Sequence, residues 1–569
     1  MLLIRLFVVL ALILILIVRI RLLSVPLERD EGEFAYAGKL LLTGLHPFES
    51  VYNLKMPGIY LSYAIFFAAF GTSVSAIHLG LMIANLVTIV LMYLFAKKIS
   101  GHVAGLVSAA AYGLMSLHYS VQGVFAHATH FVVLFAIAGL LTVWKAMDDN
   151  HKDILFLGGM LLGISFLMKQ NGFAFVLLGL FLIFSLSCKN KAVLWRKIIM
   201  LSIVYLLGTA LPFLLNCIIL YRKGMLDRFW FWTISYASHY VTMLPFDKGM
   251  AILWENIYEI VDSSLIIWIY AIIGFIYMIK NRWFFEAKFV LFFIILSIIA
   301  VSPGFHFRPH YFILILPVVS ILSGIGVQYA CKITNCGNMQ PKFGTAIKPN
   351  TNLSSNGLAS LNILNYLRFI VISLLPISLI ISILGNASYY LTDTPIDVSY
   401  KTYPAQFFPE SLEIGKFLKT ISKENDRIAI LGSEPQIYFY ANRRSSSGYI
   451  YMYPLMEVQE YALKMQEEMV NEIESTKPRF IVFYNSQPSW VVRQYSEKWI
   501  FRWFDEYREK YHKIGFVDFK GPYNTHWVFP ESAKNYYPES PFWCMILERN
   551  EDQEIRKLET DGQKTNNLI

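Results

Sequence analysis

Long apolar segments recur along the first two-thirds of the chain, and short polar segments separate them. A bilayer core of about 30 Å requires about 20 apolar residues in each helix that crosses it. The apolar stretch 58–70 is too short, so we predict a helix that lies along the membrane surface or inserts halfway. On the same criterion we predict about eleven membrane-spanning helices, near 2–23, 76–97, 101–118, 123–146, 153–168, 171–188, 197–220, 264–280, 287–303, 311–331 and 366–388.

The positive charges indicate an orientation for these helices. Lysine and arginine collect in one set of alternate loops, for example at 97–98, 189–197 and 280–288, and the other set has little excess of them. Short loops rich in these residues mark the cytoplasmic side of a membrane protein. We therefore predict a cytoplasmic N-terminus, and we expect the loop 24–75 and everything after residue 390 to be extracytoplasmic.

The composition changes after residue 390 to that of a water-soluble domain. Strand-like runs at 427–432 and 480–484 alternate with helix-like runs near 455–475 and 496–511, which is typical of an α/β domain. The predicted fold is thus a membrane all-α domain over 1–390, with surface helices in its loop 24–75, followed by an extracytoplasmic α/β domain over 391–550. The polar tail 551–569 and the connector 335–362 are predicted to be disordered and flexible.

The overall composition supports this class. Hydrophobic residues make up 56% of the chain and charged residues 16%, which excludes an ordinary soluble globular protein. The net charge of +9 comes mostly from lysine and arginine residues in the loops between spans. The sequence contains no basic run interleaved with aromatic residues, so it does not indicate nucleic-acid binding. We therefore expect a multi-pass protein of the plasma (inner) membrane, with membrane lipid as its surroundings.

Candidate chemistry begins directly after the first span, at Asp30 and Glu31, and continues with Lys55 in the same loop. A carboxylate at a membrane edge can act as a general base, and a nearby ammonium can hold a phosphate. Two structural interpretations compete with these roles. The acids can complement the dipole of a helix that begins there, and Lys55 can extend its ammonium to the lipid headgroups.

Other polar residues lie in turns predicted on the same side. A buried histidine with a satisfied hydrogen bond competes with any functional histidine, and interfacial anchoring competes with function for the cations and aromatic residues. The aromatic residues 229–236 predict an interfacial belt or a re-entrant helix, and stacking on a sugar ring is the functional alternative. The candidates in the turns are His127, His130, Lys169, Gln170, Arg308, His310 and Tyr311.

The order of these motifs resembles that of a known family. An Asp-Glu pair follows the first span, Lys55-Met56-Pro57 opens an apolar run, and Val121-Gln122-Gly123 precedes the fourth span. Phe166–Gln170, His310-Tyr311-Phe312 and Ile430–Tyr438 continue the series to Arg443. The set resembles the polyprenyl-phosphate-dependent GT-C glycosyltransferases, the protein O-mannosyltransferase and aminoarabinose-lipid A transferase superfamily with its RgtA-like bacterial branch. The likeness covers most of residues 1–485.

The resemblance implies roles for the candidate residues. Asp30 would be the base, with Glu31 as the neighbour that orients a substrate or a divalent cation, and Lys55 would contact the donor phosphate with Lys169 and Arg308. Met56 replaces the first proline of the family's motif, and His127 or His130 stands where relatives often have an acid. No cofactor is required by the sequence, and a divalent cation stays an alternative with unknown ligands. Substrate-binding roles would fall to Gln170, His127, His130, His310 and Tyr311.

The resulting hypothesis is an inverting transfer of a hexosyl or pentosyl group from a polyprenyl-phosphate donor to an acceptor at the extracytoplasmic face. Lipid, glycan and protein acceptors all stay open. A transporter or flippase of lipid-linked sugars is the main alternative, although such proteins usually show repeated halves and ionisable groups at mid-membrane. A membrane-anchored sensor is a third hypothesis, and eleven spans exceed what an anchor requires. The absence of a glycine-rich phosphate loop agrees with a donor that contains no nucleotide.

Overall fold

The structure is a computed structural model that describes residues 2–188, 195–282, 284–333, 373–378 and 380–550. Helices form most of this described part, and one six-stranded sheet lies near its C-terminal end. The predicted connector 335–362 and the predicted tail 551–569 lie outside the described residues, as do residues 366–372 and 379 of the last predicted span, 366–388.

The N-terminal part is an assembly of helices joined by short turns. Most of them coincide with the apolar segments of the sequence, because a backbone surrounded by hydrocarbon must satisfy its hydrogen bonds internally. The helices are α1 (Leu2–Arg21), α2 (Arg29–Leu42), α3 (Pro47–Ser50), α4 (Pro57–Phe70), α5 (Val74–Ser100), α6 (His102–Met115), α7 (Ala128–Asp149), α8 (Lys152–Met168), α9 (Phe173–Cys188), α10 (Trp195–Arg222), α11 (Leu226–Trp230), α12 (Ala237–Thr242), α13 (Phe246–Asp262), α14 (Leu265–Lys280), α15 (Phe285–Val301) and α16 (Leu316–Ile333).

The predicted number of spans is not confirmed. Within the described residues, five helices are long and apolar enough to cross a membrane, and six if the pair α13 and α14, bent by 101°, counts as one span. Several other apolar helices are shorter, among them α6 and α4 with 14 residues each. These lengths explain the difference, because the apolar segments of the sequence include turn residues that the helices leave out.

The first loop carries the helices that position the candidate site. Helix α2 begins with a reciprocal cap, in which Glu28 accepts a hydrogen bond from the Glu31 backbone and Glu31 accepts one from the Glu28 backbone. Proline at its first position starts α4, where its fixed φ suits a helix and its missing N–H is not needed. The two helices pack against each other, with Gly38 of α2 facing the backbone of Ala64 in α4.

The C-terminal domain is built on a mixed sheet, which confirms the predicted sheet-containing domain. Its strands are β1 (Arg427–Leu431), β2 (Arg444–Ser445), β3 (Phe480–Asn485), β4 (Tyr511–Phe519), β5 (Thr525–Val528) and β6 (Trp543–Arg549), in the order β2-β1-β3-β6-β4-β5. Strands β2, β1 and β3 pair in parallel, and β6, β4 and β5 add antiparallel pairs. Its helices are α17 (Pro395–Thr402), α18 (Phe408–Ile421), α19 (Gln436–Ala441), α20 (Tyr453–Met456), α21 (Ala462–Thr476), α22 (Gln487–Trp490), α23 (Trp499–Tyr507) and α24 (Pro530–Ala533).

The C-terminal domain is docked directly onto helix α2. A Cβ atom at Gly32 would lie 2.5 Å from the backbone nitrogen of Gln436, so only glycine allows α2 to approach α19 this closely. The Arg29 guanidinium donates to the Ser433 carbonyl and pairs with Glu434 at 2.8 Å. Helix α2 is therefore held from the side of the C-terminal domain as well as from α4.

Candidate active site

A cavity of about 310 Å³ lies where the first loop, three interhelical turns and the C-terminal domain meet. Its walls come from chain segments that are hundreds of residues apart, as is usual for sites placed between structural units. The polar and aromatic side chains around it include Glu28, Arg29, Asp30, Asn53, Lys55, Gln122, His127, Lys169, Gln170, Tyr236, Tyr240, Arg308, His310, Tyr311, Tyr403, Gln406, Tyr451, Tyr453 and Glu457.

Asp30 and Lys55 form an ion pair on the cavity wall. The Lys55 ammonium lies 3.0 Å from Asp30 Oδ2, and the Tyr451 hydroxyl donates to Asp30 Oδ1 at 2.6 Å. Burial alone would raise the pKa of Asp30, but the Lys55 charge and the Tyr451 hydrogen bond hold it well below its usual range. Asp30 is therefore an oriented and ionised carboxylate with one face toward the cavity.

The segment that presents Lys55 is fixed by buried polar groups. The Glu33 carboxylate accepts hydrogen bonds from Asn53 Nδ2 at 2.7 Å and from the Tyr60 hydroxyl at 2.5 Å. Asn53 Oδ1 in turn accepts from the Leu54 backbone N–H, and the Leu54 carbonyl accepts from Gln170 Nε2 at 2.8 Å. The backbone just before the lysine is thus held on both sides.

Positive charge predominates in the cavity. The Lys169 ammonium lies 3.7 Å from the centre of the Tyr311 ring, and Arg308 also lines the wall. Burial, and to a smaller extent the charge of neighbouring Lys55, lowers the pKa of Lys169 well below its usual value, and an anion beside this amine would favour its charged form. Burial raises the pKa of Glu28 well above its usual value, so this acid adds little negative charge. An anionic ligand would complement this lining.

Two stacked histidines lie close to Asp30. The His127 and His310 rings lie 4.0 Å apart and nearly parallel, and His310 Nδ1 donates to Gln122 Oε1 at 3.0 Å. His127 Nε2 contacts the Tyr403 hydroxyl at 3.0 Å, and its buried Nδ1 has no hydrogen-bond partner. Burial lowers the pKa of His127 to about 4, so the ring is neutral at pH 7. One ligand atom from each of Asp30, His127 and His310 lies within 4.8 Å of the others.

The structure brings together eight of the ten residues that the sequence singled out. The two others lie elsewhere. The Glu31 carboxylate is fully buried, caps α2 and contacts His78 Nε2 at 3.0 Å. His130 is buried within α7, and its ring nitrogens have no hydrogen-bond partner. The residues on the cavity wall are Asp30, Lys55, His127, Lys169, Gln170, Arg308, His310 and Tyr311.

The sequence interpretation missed the contribution of the C-terminal domain. Tyr451 contacts Asp30 directly, Tyr453 donates to the Pro488 carbonyl and accepts from Arg29 Nη1 at 2.7 Å, and Tyr403 contacts His127. The only local signal is the tyrosine-rich run 449–453, which follows the small residues 445–448. Nothing in that run indicates the first loop as its partner.

Comparisons with known proteins identify a similar family model and similar folds. A family model described as dolichyl-phosphate-mannose-protein mannosyltransferase matches residues 54–215. The crystal structure of ArnT from Cupriavidus metallidurans bound to undecaprenyl phosphate is similar, with a TM-score of 0.52, 14% identity, and coverage of 84% of this chain and 92% of that one. An Archaeoglobus fulgidus oligosaccharyltransferase in complex with zinc and sulfate has a TM-score of 0.50 at 11% identity, covering 91% of this chain and 73% of that one. No curated protein matches the chain.

These findings confirm the resemblance to polyprenyl-phosphate-dependent glycosyltransferases that the motifs predicted. At such low identities the solved structures show a shared fold, and function has to be argued from the site. The matched segment 54–215 contains Lys55, His127 and Lys169, so the family model and the cavity involve the same part of the chain.

Proposed function

We propose that this protein is a membrane glycosyltransferase that moves a sugar from a polyprenyl phosphate to an acceptor at the extracytoplasmic face. The observation that carries the proposal is the convergence of Lys55, Lys169 and Arg308 on one cavity in which Asp30 is an ion-paired carboxylate. A phosphate ester of a lipid is complementary to such cations. The carboxylate supplies the base that a transfer to a hydroxyl or amine requires.

The chemistry is a single displacement. The acceptor oxygen or nitrogen forms a bond to the anomeric carbon while the bond from that carbon to the phosphate oxygen breaks. The acceptor's proton goes to Asp30, and the bonding electron pair leaves with the polyprenyl phosphate. Attack from the side opposite the leaving phosphate inverts the anomeric centre. Each fixed cation near the departing oxygen contributes about 3 kcal/mol to stabilising the transition state.

Lys55 has a double role in this scheme. In the free protein it neutralises Asp30 at 3.0 Å, and in the donor complex its ammonium is shared with the phosphate. The hydrogen bond from Tyr451 keeps Oδ1 of the carboxylate fixed during this exchange, which leaves Oδ2 toward the acceptor. The network of Glu33 and Asn53 keeps the Lys55 backbone in place.

A divalent cation fits the same wall. Asp30, His127 and His310 offer one carboxylate and two imidazole nitrogens, a donor set that suits zinc and similar ions. Nδ1 of buried His127 has no hydrogen-bond partner and lies 3.7 Å from Glu28 Oε1, which favours a ligand there. When bound, such a cation would act as a Lewis acid toward an oxygen of the substrates. The hydrogen bond from His310 to Gln122 would leave the other ring nitrogen of His310 as the donor to the ion.

The test is a transfer assay with the full-length protein in lipid vesicles. Synthetic polyprenyl-phosphate hexoses and pentoses serve as donors, a membrane extract supplies acceptors, and release of polyprenyl phosphate is measured. We expect turnover with at least one donor, and a loss of about 10²–10⁴-fold in Asp30→Asn. Asp148→Asn, which removes the acid of the surface pair with Lys98, is the matched control and should keep full activity. Turnover of Asp30→Asn at the parental rate would exclude Asp30 as the base.

A further inference from the structure

A second cavity of about 790 Å³ lies next to the first and takes no part in the proposed chemistry. It lies between the polypeptide that follows α10 and helix α21 of the C-terminal domain. The two cavities are adjacent, because Trp232 lines the second and Tyr236, one helical turn later, lines the first. Its volume is within the range of small-molecule sites.

Aromatic side chains form one wall of this second cavity. The rings of Phe231 and Tyr461 are half-buried and meet edge to face at 5.2 Å. Trp232 and Tyr449 lie behind them and are nearly fully buried. Phe231 of the loop 221–263 and Tyr461 of the C-terminal domain therefore present flat apolar surface to the second cavity. Flat rings with a polar rim suit ligands that have both C–H faces and hydroxyl groups.

The charges around the second cavity balance. Arg228 pairs with Glu468 at 3.3 Å and lies 4.1 Å above the Tyr52 ring, and the Tyr449 hydroxyl donates to Glu468 at 2.6 Å. Asp227 and Lys464 are exposed at the rim. Three acids and three bases line the cavity in all, the remaining two being Glu49 and Lys223. A phosphate is not favoured by such a lining, in contrast to the first cavity, whereas a neutral polyhydroxylated molecule can use both donors and acceptors.

We propose that the second cavity binds the carbohydrate part of the acceptor, so that the acceptor is a glycan or a glycolipid with a neutral saccharide. The inference rests on the proposed function, because it takes the first cavity to be the place of transfer. The Tyr52 side chain lies between the two cavities. Its ring contacts Trp232 and Tyr449, which line the second cavity, and the next residue, Asn53, lines the first. A saccharide held against Phe231 and Tyr461 would then lie beside the cavity that contains Asp30.

Binding to printed oligosaccharides tests the proposal. The full-length protein in detergent is applied to an array of chains of two to six units that contain hexose, N-acetylhexosamine or uronic acid. We expect binding to neutral chains, and affinity at least about tenfold lower in the double variant Phe231→Ala/Tyr461→Ala. Asp227→Asn, an exposed change without cost to packing, should also weaken binding. Trp254→Ala removes an aromatic residue that is 66% exposed and lines neither cavity, so it should bind like the parent protein.

The outcomes separate this inference from the proposed function. Absence of binding to every chain, binding only to uronic acid chains, or equal binding by all variants would overturn the carbohydrate site. The same preparations are tested for binding of undecaprenyl phosphate, which the variants of the second cavity should leave unchanged. If the parent protein did not bind undecaprenyl phosphate, the proposed function would be contradicted instead. A saccharide that binds more tightly on a lipid carrier in nanodiscs than in free form identifies a glycolipid acceptor, and equal affinity identifies a free glycan.

Discussion

The ion pair of Asp30 and Lys55 gives the most discriminating prediction, because the proposed function assigns opposite consequences to the loss of each partner. Asp30→Asn keeps an acceptor for the Tyr451 hydroxyl and removes only the charge, and Lys55→Gln removes the cation with little change in length. In the double variant Asp30→Asn/Lys55→Gln neither charge is left unpaired. The two single variants, the double variant and the parent protein form a double-mutant cycle, in which the free energy of unfolding and the affinity for the donor are measured separately.

The magnitudes follow from the burial of the pair. Both side chains are about one-fifth exposed, at 20% and 21%, which places the pair between an exposed ion pair of 0–1 kcal/mol and a buried one of about 3–5 kcal/mol. We therefore expect each single change to cost about 2 kcal/mol in stability, and the double variant to recover much of it. Lys55→Gln should weaken phosphate binding by roughly 10–150-fold, the value of about 1.5–3 kcal/mol for a hydrogen bond to a charged group.

Asp30→Asn should have the reverse effect on the donor. Lys55 no longer divides its charge between the carboxylate and the phosphate, so we expect undecaprenyl phosphate to bind as tightly as before or up to about 30-fold more tightly, the equivalent of about 2 kcal/mol. Turnover should nevertheless fall by about 10²–10⁴-fold. The measurements are thermal unfolding in detergent, equilibrium binding of undecaprenyl phosphate, and the transfer assay. If Asp30→Asn weakened phosphate binding as much as Lys55→Gln, the pair would be structural and the assignment of Lys55 to the donor would be refuted.

Two further predictions concern neighbouring groups. Burial raises the pKa of Glu33 from 4.5 to about 7, so its proton is held more firmly in the folded state; its contribution to stability is full below pH 4.5 and is lost as the pH rises through about 7. Thermal unfolding from pH 4.5 to 7.5 should therefore vary less in Glu33→Gln than in the parent protein, and equal slopes would contradict this. Elemental analysis of the purified protein should find about one divalent metal ion per chain that is lost in His127→Ala and kept in His151→Ala, an exposed control; a metal content unchanged in His127→Ala would exclude this ligand set.

The apolar pattern predicted the positions of the helices well because hydrocarbon allows few other structures. It could not predict their number as spans, since a segment such as 101–118 contains a 14-residue helix and a turn of similar hydropathy. Strands β1 and β3, which are short apolar runs in the sequence, were predicted. Strands β4 and β5, which form a local hairpin, were not predicted. Strand β6 was not predicted either, because it pairs with β3 and β4 from a distant part of the chain.

The acidic pair at the start of α2 shows which features of the site a residue pattern can predict and which it cannot. Consecutive residues on a helix point about 100° apart, and Glu31 is directed toward His78 while Asp30 lines the cavity. Both interpretations of the sequence find a counterpart in the structure, because Glu31 caps the helix and Asp30 lines the cavity. The resemblance to a family indicated which acid to choose. Tyr451, 421 residues further along the chain, could be placed beside Asp30 only by the folded structure.

The close approach of Gly32 to Gln436 has a consequence for the biogenesis of the protein. The first loop is synthesised early, but the surface against which it packs comes from a domain whose central strands begin at residue 427. A nascent chain of which only the N-terminal helices have been synthesised therefore has an incomplete cavity and lacks Tyr451, which orients the Asp30 carboxylate. On the proposed function, we therefore expect chains that end before residue 427 to be inactive, because they lack the tyrosine that contacts Asp30.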